Sequence, residues 1–227
     1  MQAVILAAGE GIRLKPLTDI IPKCLIKVGK KTILEHTLSE LPQNIKEVIV
    51  VVGHLKSQIK KQIGNHFANC NIKYVEQTER LGTGHALFTA KNLIGDEKFA
   101  VLMGDNIYTK RDIESCLSQN LALLAKKIEA PERFGVLKIE NGILMDVTES
   151  SKLATGSLVN CGLYVLDKRI FDYSLVALSE QEYGLPQTIA KMSAQHPVKI
   201  VKATFWMPIN TIQDVKSADK YLKKLYS

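Results

Sequence analysis

The chain contains 227 residues, of which 46% are hydrophobic and 23% are charged. These proportions are typical of one large globular domain with its own core, and they exclude a disordered chain, a collagen-like repeat and a coiled coil. Lys and Arg number 30 against 23 Asp and Glu, and the net charge of +7 suits a phosphorylated small substrate as well as nucleic acid. Because the basic residues are scattered and not interleaved with aromatic residues, we expect no nucleic-acid partner.

The apolar segments and the cysteines indicate in which cellular compartment the protein is expected. The longest apolar stretches, such as residues 48–53, have the length of a strand and fall far short of the ~20 residues that a membrane-spanning helix needs. No basic segment precedes the N-terminal apolar run, which leads straight into a glycine-rich turn and is typical of a first strand rather than a signal peptide. The four cysteines are widely spaced, without a CxxC motif. We therefore expect a cytoplasmic protein with reduced thiols, without a membrane partner or a zinc site.

In the first half of the chain, apolar runs of strand length alternate with helical patterns. Strands are predicted at residues 3–6, 47–52, 72–75 and 98–102, and helices at residues 32–41, 55–63, 84–93 and 111–125. Continuous apolar strands separated by helices imply a parallel sheet covered on both faces. Right-handed crossovers place the loops after these strands along one edge of the sheet, where α/β proteins bind ligands.

The second half has a different pattern. Asn141-Gly142 between apolar runs at 136–139 and 143–147 predicts a hairpin. Further strands are predicted at 158–165 and 198–204, and an amphipathic helix at about 213–225. Because no repeat, low-complexity tract or linker separates the halves, we predict that the second half extends the same sheet in one domain.

A glycine-rich turn follows the first strand, in residues 6–18 (LAAGEGIRLKPLT). Such a turn can cradle phosphates, because main-chain N–H groups approach an anion where no Cβ intervenes. It is not the dinucleotide fingerprint, since Leu14 stands where the third glycine belongs, and no GK[ST] follows as in a P-loop. Arg13 and Lys23 place two cations near the turn, which suits chemistry at a triphosphate. On these residues alone, a tight turn with solvated surface charges remains open.

The pattern LAAGxGxRLxPLT followed by PKxL resembles the sugar-1-phosphate nucleotidyltransferases, also called sugar-nucleotide pyrophosphorylases. The resemblance continues through VEQTERLGTGHAL (75–87), LMGDN (102–106), ERFGVL (132–137), VNCGLYVLD (159–167) and FWMPINTIQDV (205–215). It implies an α/β fold of three α/β/α layers, with a Rossmann-like, mixed and mostly parallel sheet. Residues 1–130 would mainly bind the nucleotide and residues 131–227 the sugar, with no room for the β-helix acyltransferase domain of bifunctional relatives.

The reaction that the resemblance implies is attack of a sugar 1-phosphate oxygen on the α-phosphorus of a nucleoside triphosphate, with release of pyrophosphate. Arg13 would hold the β- and γ-phosphates, and Lys23 would lie between the α-phosphate and the sugar phosphate. The LGTGHA motif is similar to the corresponding motif of enzymes that use UTP or dTTP. The Gln77 amide, which can both donate and accept, could pair with the imide edge of uracil or thymine. The residues that would bind the nucleotide are Leu6, Ala8, Gly9, Gly11, Gln77, Gly82 and Thr83.

A magnesium site is expected at Asp105, which follows a predicted buried strand. Mg²⁺ usually takes one or two carboxylates plus phosphate oxygens, whereas a helix N-cap role for Asp105 is disfavoured because the next predicted helix begins six residues downstream. Many relatives carry a second acidic ligand in a WxDxGT pattern, but Pro208 stands at that place in this chain. Proline cannot bind a metal ion, but the position of Asn210 resembles that of the asparagine ligand in the related N-acetylglucosamine-1-phosphate uridylyltransferases, and this resemblance implies Asn210 as the second ligand.

The sugar side of the site is expected to include Gly135, Glu149 and Asn160. Without a role in sugar binding, Gly135 would be a strand irregularity, Glu149 a surface charge and Asn160 a polar group at a strand edge. Glu149-Ser150-Ser151-Lys152 replaces the usual Glu-Lys-Pro, so that Lys152 would contact the sugar phosphate only from a displaced position. Leu185-Pro186-Gln187 replaces the Leu-Thr-Asp that is frequent in the family. Because of these departures, the sequence does not predict which sugar 1-phosphate is the substrate.

Two other functions are compatible with these residues. One keeps the fold and transfers a cytidylyl or guanylyl group to another phosphomonoester such as phosphocholine, although Gln77 and LGTGHA argue against it. The other is a catalytically weak, nucleotide-binding regulatory subunit, which Pro208 suggests and the intact Arg13, Lys23 and Asp105 oppose. The sequence predicts neither the oligomeric state nor the choice between UTP and dTTP.

Overall fold

The computed structural model describes residues 1–129, 131, 133–148 and 156–225. Along these residues the strands are β1 (Gln2–Ala7), β2 (Lys27–Val28), β3 (Lys31–Thr32), β4 (Glu47–Val52), β5 (His66–Phe67), β6 (Cys70–Glu76), β7 (Phe99–Met103), β8 (Asn106–Ile107), β9 (Ala122–Ile128), β10 (Val136–Glu140), β11 (Ile143–Thr148), β12 (Ser157–Leu166), β13 (Val176–Ser179), β14 (Glu182–Gly184), β15 (Lys199–Lys202) and β16 (Met207–Pro208). The α-helices are α1 (Leu17–Ile20), α2 (Ile33–Ser39), α3 (Lys56–Ile63), α4 (Gly82–Thr89), α5 (Lys110–Leu117), α6 (Leu185–Ser193) and α7 (Ile212–Leu225). Short 3-10 helices occupy Ile12–Leu14, Lys23–Leu25, Lys91–Leu93 and Lys168–Asp172. None of the helices in the described ranges is long and apolar enough to cross a lipid bilayer.

Ten strands form one mixed sheet in the order β10-β11-β15-β9-β12-β7-β1-β4-β6-β5. Strand β1 lies between β4 and β7 and runs parallel to both, and β4 is parallel to β6. Strand β12 joins the two halves, since it pairs antiparallel with β7 on one side and with β9 on the other. The second half of the chain therefore extends the sheet of the first half, as the sequence predicts.

Both faces of the sheet are covered by helices. Alternate residues of β1 belong to opposite clusters of the core: Ala3 and Ile5 pack with residues of α2, α3 and α5, whereas Val4 and Leu6 pack with residues of α4 and α6. This alternation follows from the period-2 arrangement of side chains on a strand. The predicted three-layer α/β/α architecture is confirmed.

The largest error in the predicted elements is the helix at residues 111–125. Helix α5 ends at Leu117, and Ala122–Ile128 is strand β9, between β12 and β15. The run Leu121 to Ala125 is buried on both sides, and periodicity alone does not distinguish a buried strand from a buried helix. Helix α6 and the hairpin of β13 and β14 were not predicted from the sequence.

The N-terminus of α2 provides a test of local stability. Thr32 is the N-cap: its Oγ1 accepts the Glu35 N–H at 3.1 Å, and the Glu35 carboxylate accepts the Thr32 N–H at 2.7 Å. Thr32→Val keeps the side-chain shape but removes the acceptor, so we expect the free energy of unfolding to fall by about 1 kcal/mol in a urea titration. Thr89→Val is the control, because the Thr89 hydroxyl donates to His85 O within its own helix and caps no helix terminus. An equal fall in the free energy of unfolding in this control would contradict the role of the cap.

Candidate active site

A cleft of about 820 Å³ opens at the carboxyl ends of β1 and β7. Parallel strands that end at the same sheet edge bring residues from distant parts of the sequence together there. The predicted residues that line the cleft are Leu6, Ala8, Gly9, Gly11, Arg13, Lys23, Gln77, Gly82, Thr83, Asp105 and Asn210. The structure thus collects every predicted nucleotide, phosphate and metal residue in one cleft.

The glycine turn is packed against the segment that carries Lys23. Gly11 has φ +67°, and a Cβ at this residue would lie 2.9 Å from Thr18 Cγ2 and 3.1 Å from Lys23 Cβ. Thr18 Oγ1 donates a hydrogen bond to Gly11 O at 2.9 Å. A side chain at position 11 would therefore push the turn away from Lys23, which explains the requirement for glycine.

Lys23 lies between the two predicted metal ligands. Its Nζ donates to Asp105 Oδ2 at 2.6 Å and to Asn210 Oδ1 at 2.9 Å. Asn210 reaches this point because β16 pairs with β8, with Pro208 opposite Asn106, and because Ile209 N–H donates to Asp105 O at 3.0 Å. Asp105 Oδ2 and Asn210 Oδ1 come from residues far apart in the sequence, and both accept hydrogen bonds from the Lys23 ammonium group.

The main chain at Asn210 is fixed by Asp214 in the first turn of α7. Asp214 Oδ2 accepts N–H groups from Asn210 at 2.9 Å and Thr211 at 2.8 Å, and it lies 3.2 Å from Nη2 of Arg133. Burial raises the pKa of the Asp214 carboxyl, but these hydrogen bonds outweigh burial and hold the pKa below its usual value. Asp214 therefore carries a negative charge at neutral pH.

The opposite wall of the cleft carries Gln77. Its side chain is buried, and Nε2 donates to Gly82 O at 3.0 Å and lies 3.1 Å from Nδ1 of His85. Gly82 has φ +84°, and a Cβ there would lie 2.6 Å from Tyr183 O. Thr83 Oγ1 accepts the N–H of Leu185 at 3.1 Å, which attaches this wall to the start of α6.

Sequence reasoning missed several residues of the cleft. The Glu10 carboxylate pairs with the Arg80 guanidinium, and this contact joins the glycine turn to the segment before α4. Gln181 and Glu182 reach the cleft from the hairpin of β13 and β14. The charges of Glu10 and Arg80 are visible in the sequence within the recognised motifs, but their pairing depends on the tertiary structure.

The predicted sugar-side residues lie in a different place. Gly135 and Asn160 are neighbours, since Asn160 N–H donates to Gly135 O at 2.8 Å, and neither lines the cleft described above. The Asn160 side chain donates to Tyr164 Oη at 2.7 Å and accepts Gly162 N–H at 2.9 Å, across the irregularity of β12. Glu149 and Lys152 lie outside the described residues.

Cys24, beside Lys23, yields a prediction about thiol reactivity. Burial raises the pKa of its thiol from 9.0 to about 12, and burial also raises the pKa of the other three cysteines. Because the thiolate is the reactive species, we expect the native protein to react with Ellman's reagent at pH 8 only slowly, and all four thiols to react after denaturation. A thiol that reacts fast in the native protein would contradict this assignment.

The same shift predicts a dependence of stability on pH. Between pH 9 and about 12 the native protein keeps the Cys24 proton, which the unfolded chain releases. The stabilisation is complete below pH 9 and is lost as pH rises to about 12. Urea titrations at several alkaline pH values, with Cys24→Ala as the reference, are expected to show a steeper decline for the wild type.

The model of the Nucleotidyl transferase family matches residues 2–224. The chain belongs to this family. The membership predicted from the glycine turn and the later motifs is therefore confirmed. Among the residues that the structure describes, no three His, Cys, Asp or Glu side chains are grouped as a metal centre, and the carboxylates that line the cleft are those of Asp105, Glu10, which pairs with Arg80, and Glu182.

Curated relatives match most of the chain. The bifunctional protein GlmU of Methanocaldococcus jannaschii is 35% identical over 98% of this chain and 54% of its own length. The bifunctional IPC transferase and DIPP synthase of Aquifex aeolicus is 35% identical over 98% of this chain and 52% of its own length. The UTP–glucose-1-phosphate uridylyltransferase AglF of Haloferax volcanii is 35% identical over 75% of this chain and 74% of its own length. The chain spans about half the length of the first two.

A solved structure supports the fold. A Bacillus anthracis protein assigned as a glucose-1-phosphate thymidylyltransferase, in complex with a sucrose, has a TM-score of 0.88 and covers 98% of this chain and 95% of its own. Its sequence is 24% identical to this chain. The likeness extends over the whole sheet, including the antiparallel part that the second half contributes.

Proposed function

We propose that the protein transfers a uridylyl or thymidylyl group from UTP or dTTP to a sugar 1-phosphate, with release of pyrophosphate and with Mg²⁺ as cofactor. The observation that carries the proposal is the position of Lys23 Nζ between Asp105 Oδ2 and Asn210 Oδ1, at 2.6 and 2.9 Å, in the cleft of the glycine turn. This arrangement supplies a cation for the phosphates and oxygen ligands for a metal ion at the same point.

Asp105 and Asn210 fit a hard divalent cation. Both oxygens already face one positive charge, the Lys23 ammonium, and carboxylate and amide oxygens are the ligand types that Mg²⁺ takes together with phosphate oxygens. When bound, Mg²⁺ would neutralise charge on the triphosphate oxygens. Asn210 rather than Pro208 would be the second protein ligand, since Pro208 belongs to strand β16 and has no donor atom in its side chain.

The chain's own residues act by positioning and by neutralising charge. The main-chain N–H groups of the Gly9–Gly11 turn would hold phosphate oxygens, and Arg13 would stabilise the leaving pyrophosphate. Lys23 would lower the repulsion between the α-phosphate and the incoming sugar phosphate. Because that phosphate is already anionic at neutral pH, the reaction needs no nucleophilic side chain.

The Gln77 amide supports the choice of base. Its Nε2 is used by Gly82 O and by the nearby His85 ring, so Oε1 is the atom that remains for a ligand. A carbonyl oxygen accepts from the N3–H of uracil or thymine, whereas cytosine presents an N3 acceptor in that place. Uracil and thymine differ by a methyl group, which an apolar pocket distinguishes by only about 1–3 kcal/mol. Use of both triphosphates is therefore part of the proposal.

The sugar would bind beside the cleft, in the half of the chain that contains β10 and β12. Gly135, Glu149 and Asn160 are proposed to contact its hydroxyl groups, with Asn160 held in place by its bonds to Tyr164 and Gly162. A cytoplasmic location is proposed as well, and the four free, buried cysteines are compatible with it.

The test is a pyrophosphate-release screen of ATP, CTP, GTP, UTP and dTTP against a panel of sugar 1-phosphates, with phosphocholine and inositol 1-phosphate as further acceptors. We expect release with UTP or dTTP and a hexose 1-phosphate, and its loss with EDTA. Activity with CTP and a non-sugar acceptor would contradict the proposal and favour cytidylyl transfer to another phosphomonoester. Tight UTP binding without release for any acceptor would also contradict it and favour a regulatory subunit.

A further inference from the structure

The oxygen of Asp214 that fixes Asn210 also contacts the segment just ahead of β10. Arg133 Nη2 lies 3.2 Å from Asp214 Oδ2, the atom that accepts the N–H groups of Asn210 and Thr211. Arg133 stands two residues before Gly135, just ahead of β10, and is separated from Asp214 by 81 positions in the sequence. The contact therefore ties the segment just ahead of β10 to the first turn of α7.

The remaining contacts lead from Asp214 to the proposed metal site. Thr211 Oγ1 accepts Asp214 N–H at 3.2 Å, so the residues on both sides of this turn are held reciprocally. Asn210 Oδ1 accepts from Lys23 Nζ, which also donates to Asp105. A continuous series of polar contacts thus runs from Arg133 through Asp214, Asn210 and Lys23 to Asp105.

The contact with Arg133 matters because it adds a third restraint to the Asp214 carboxylate, besides the N–H groups of Asn210 and Thr211. A carboxylate that accepts two N–H groups on one oxygen is restrained further when a guanidinium binds the same oxygen from another element. Groups that orient a metal ligand from outside commonly change the affinity for the metal about 10- to 100-fold when they are removed.

We propose that Arg133 and Asp214 are positioning residues, which hold Asn210 in the orientation that the divalent cation requires. The segment just ahead of β10 thereby contributes to the affinity of the metal site, although Arg133 itself is not a ligand. The proposal rests on the proposed function, in which Asn210 and Asp105 hold the cation.

The test measures Mn²⁺ binding to the full chain in the presence of UTP, by the electron paramagnetic resonance signal of free Mn²⁺. Arg133→Gln is expected to raise the dissociation constant of Mn²⁺ about 10-fold, and Arg133→Lys, which keeps the charge, to raise it less. In an Asn210→Ala background, Arg133→Gln is expected to have no further effect, because its route to the metal passes through Asn210. Asp214→Asn is expected to resemble Arg133→Gln.

Arg169→Gln is the matched control, since Arg169 also pairs with a carboxylate, that of Asp167, but belongs to a 3-10 helix outside the cleft. It is expected to leave Mn²⁺ binding unchanged. Unchanged binding in Arg133→Gln would overturn this inference alone, and so would an equal weakening with and without Asn210. Absence of Mn²⁺ binding by the wild type with UTP would overturn the proposed function as well.

Discussion

Replacing Asp105 by alanine is expected to lower kcat by about 10²- to 10³-fold while the protein keeps its fold. Asp105 supplies the carboxylate of the proposed metal site and holds the Lys23 ammonium at 2.6 Å. Its loss would leave Asn210 as the remaining protein ligand and would free Lys23 from its charged partner. The main-chain oxygen of Asp105, which accepts Ile209 N–H, stays in the variant, so β8 and β16 remain joined.

The measurement is pyrophosphate release at saturating triphosphate and sugar 1-phosphate, alongside a thermal unfolding curve for each variant. Asp96→Ala provides the control, because Asp96 is a carboxylate that also pairs with a lysine, Lys168, but is fully exposed and outside the cleft. We expect the control to match the wild type in both assays. Full activity in Asp105→Ala would show that the proposed metal site is wrong.

The second large effect is expected in stability, at Asp112. This carboxylate is only 1% exposed, and it accepts hydrogen bonds from Thr204 N at 3.0 Å, Thr204 Oγ1 at 2.9 Å, Phe205 N at 2.9 Å and Thr109 Oγ1 at 3.0 Å. It joins the first turn of α5 to the segment that leads into β16 and Asn210. Asp112→Ala would leave two main-chain N–H groups without a partner, and we expect the free energy of unfolding to fall by about 3–5 kcal/mol.

Urea unfolding followed by circular dichroism measures this loss. Asp112→Asn retains one acceptor oxygen and is expected to be intermediate, so the prediction remains testable if the alanine variant does not fold. Asp146→Ala is the control, since the Asp146 side chain is exposed and, among the residues that the structure describes, accepts a hydrogen bond only from the N–H of the next residue. A midpoint for Asp112→Ala equal to that of the control would contradict the structural role of the buried carboxylate.

The sequence was sufficient to predict the part of the fold that depends on local pattern. The strands of the nucleotide half are continuous apolar runs, and their ends place the glycine turn and Asp105 at one sheet edge before any contact is known. Leu121 to Ala125 shows where this reasoning stops: the residues suit a helix or a strand, and pairing with β12 and β15 decides.

The site residues show the same difference between local sequence motifs, which could be predicted, and long-range contacts, which could not. Arg13, Lys23, Gln77 and Asp105 were predicted because they lie within recognisable motifs, and the structure brings them into one cleft. The contact of Lys23 with Asn210 joins residues 187 positions apart, and the hydrogen bond of Thr204 N–H to the Asp112 carboxylate joins residues 92 positions apart. No local pattern encodes such pairings, since they depend on how β8, β16 and α5 pack in the folded chain.

A crystal structure with UTP and Mn²⁺, recorded with anomalous scattering, would show whether the cleft binds the nucleotide and the metal ion as proposed. We expect one anomalous peak within bonding distance of Asp105 Oδ and Asn210 Oδ1, next to the triphosphate, with the phosphates on the Gly9–Gly11 turn and N3–H of uracil directed at Gln77 Oε1. A metal peak away from Asp105, or a nucleotide bound away from the glycine turn, would contradict it.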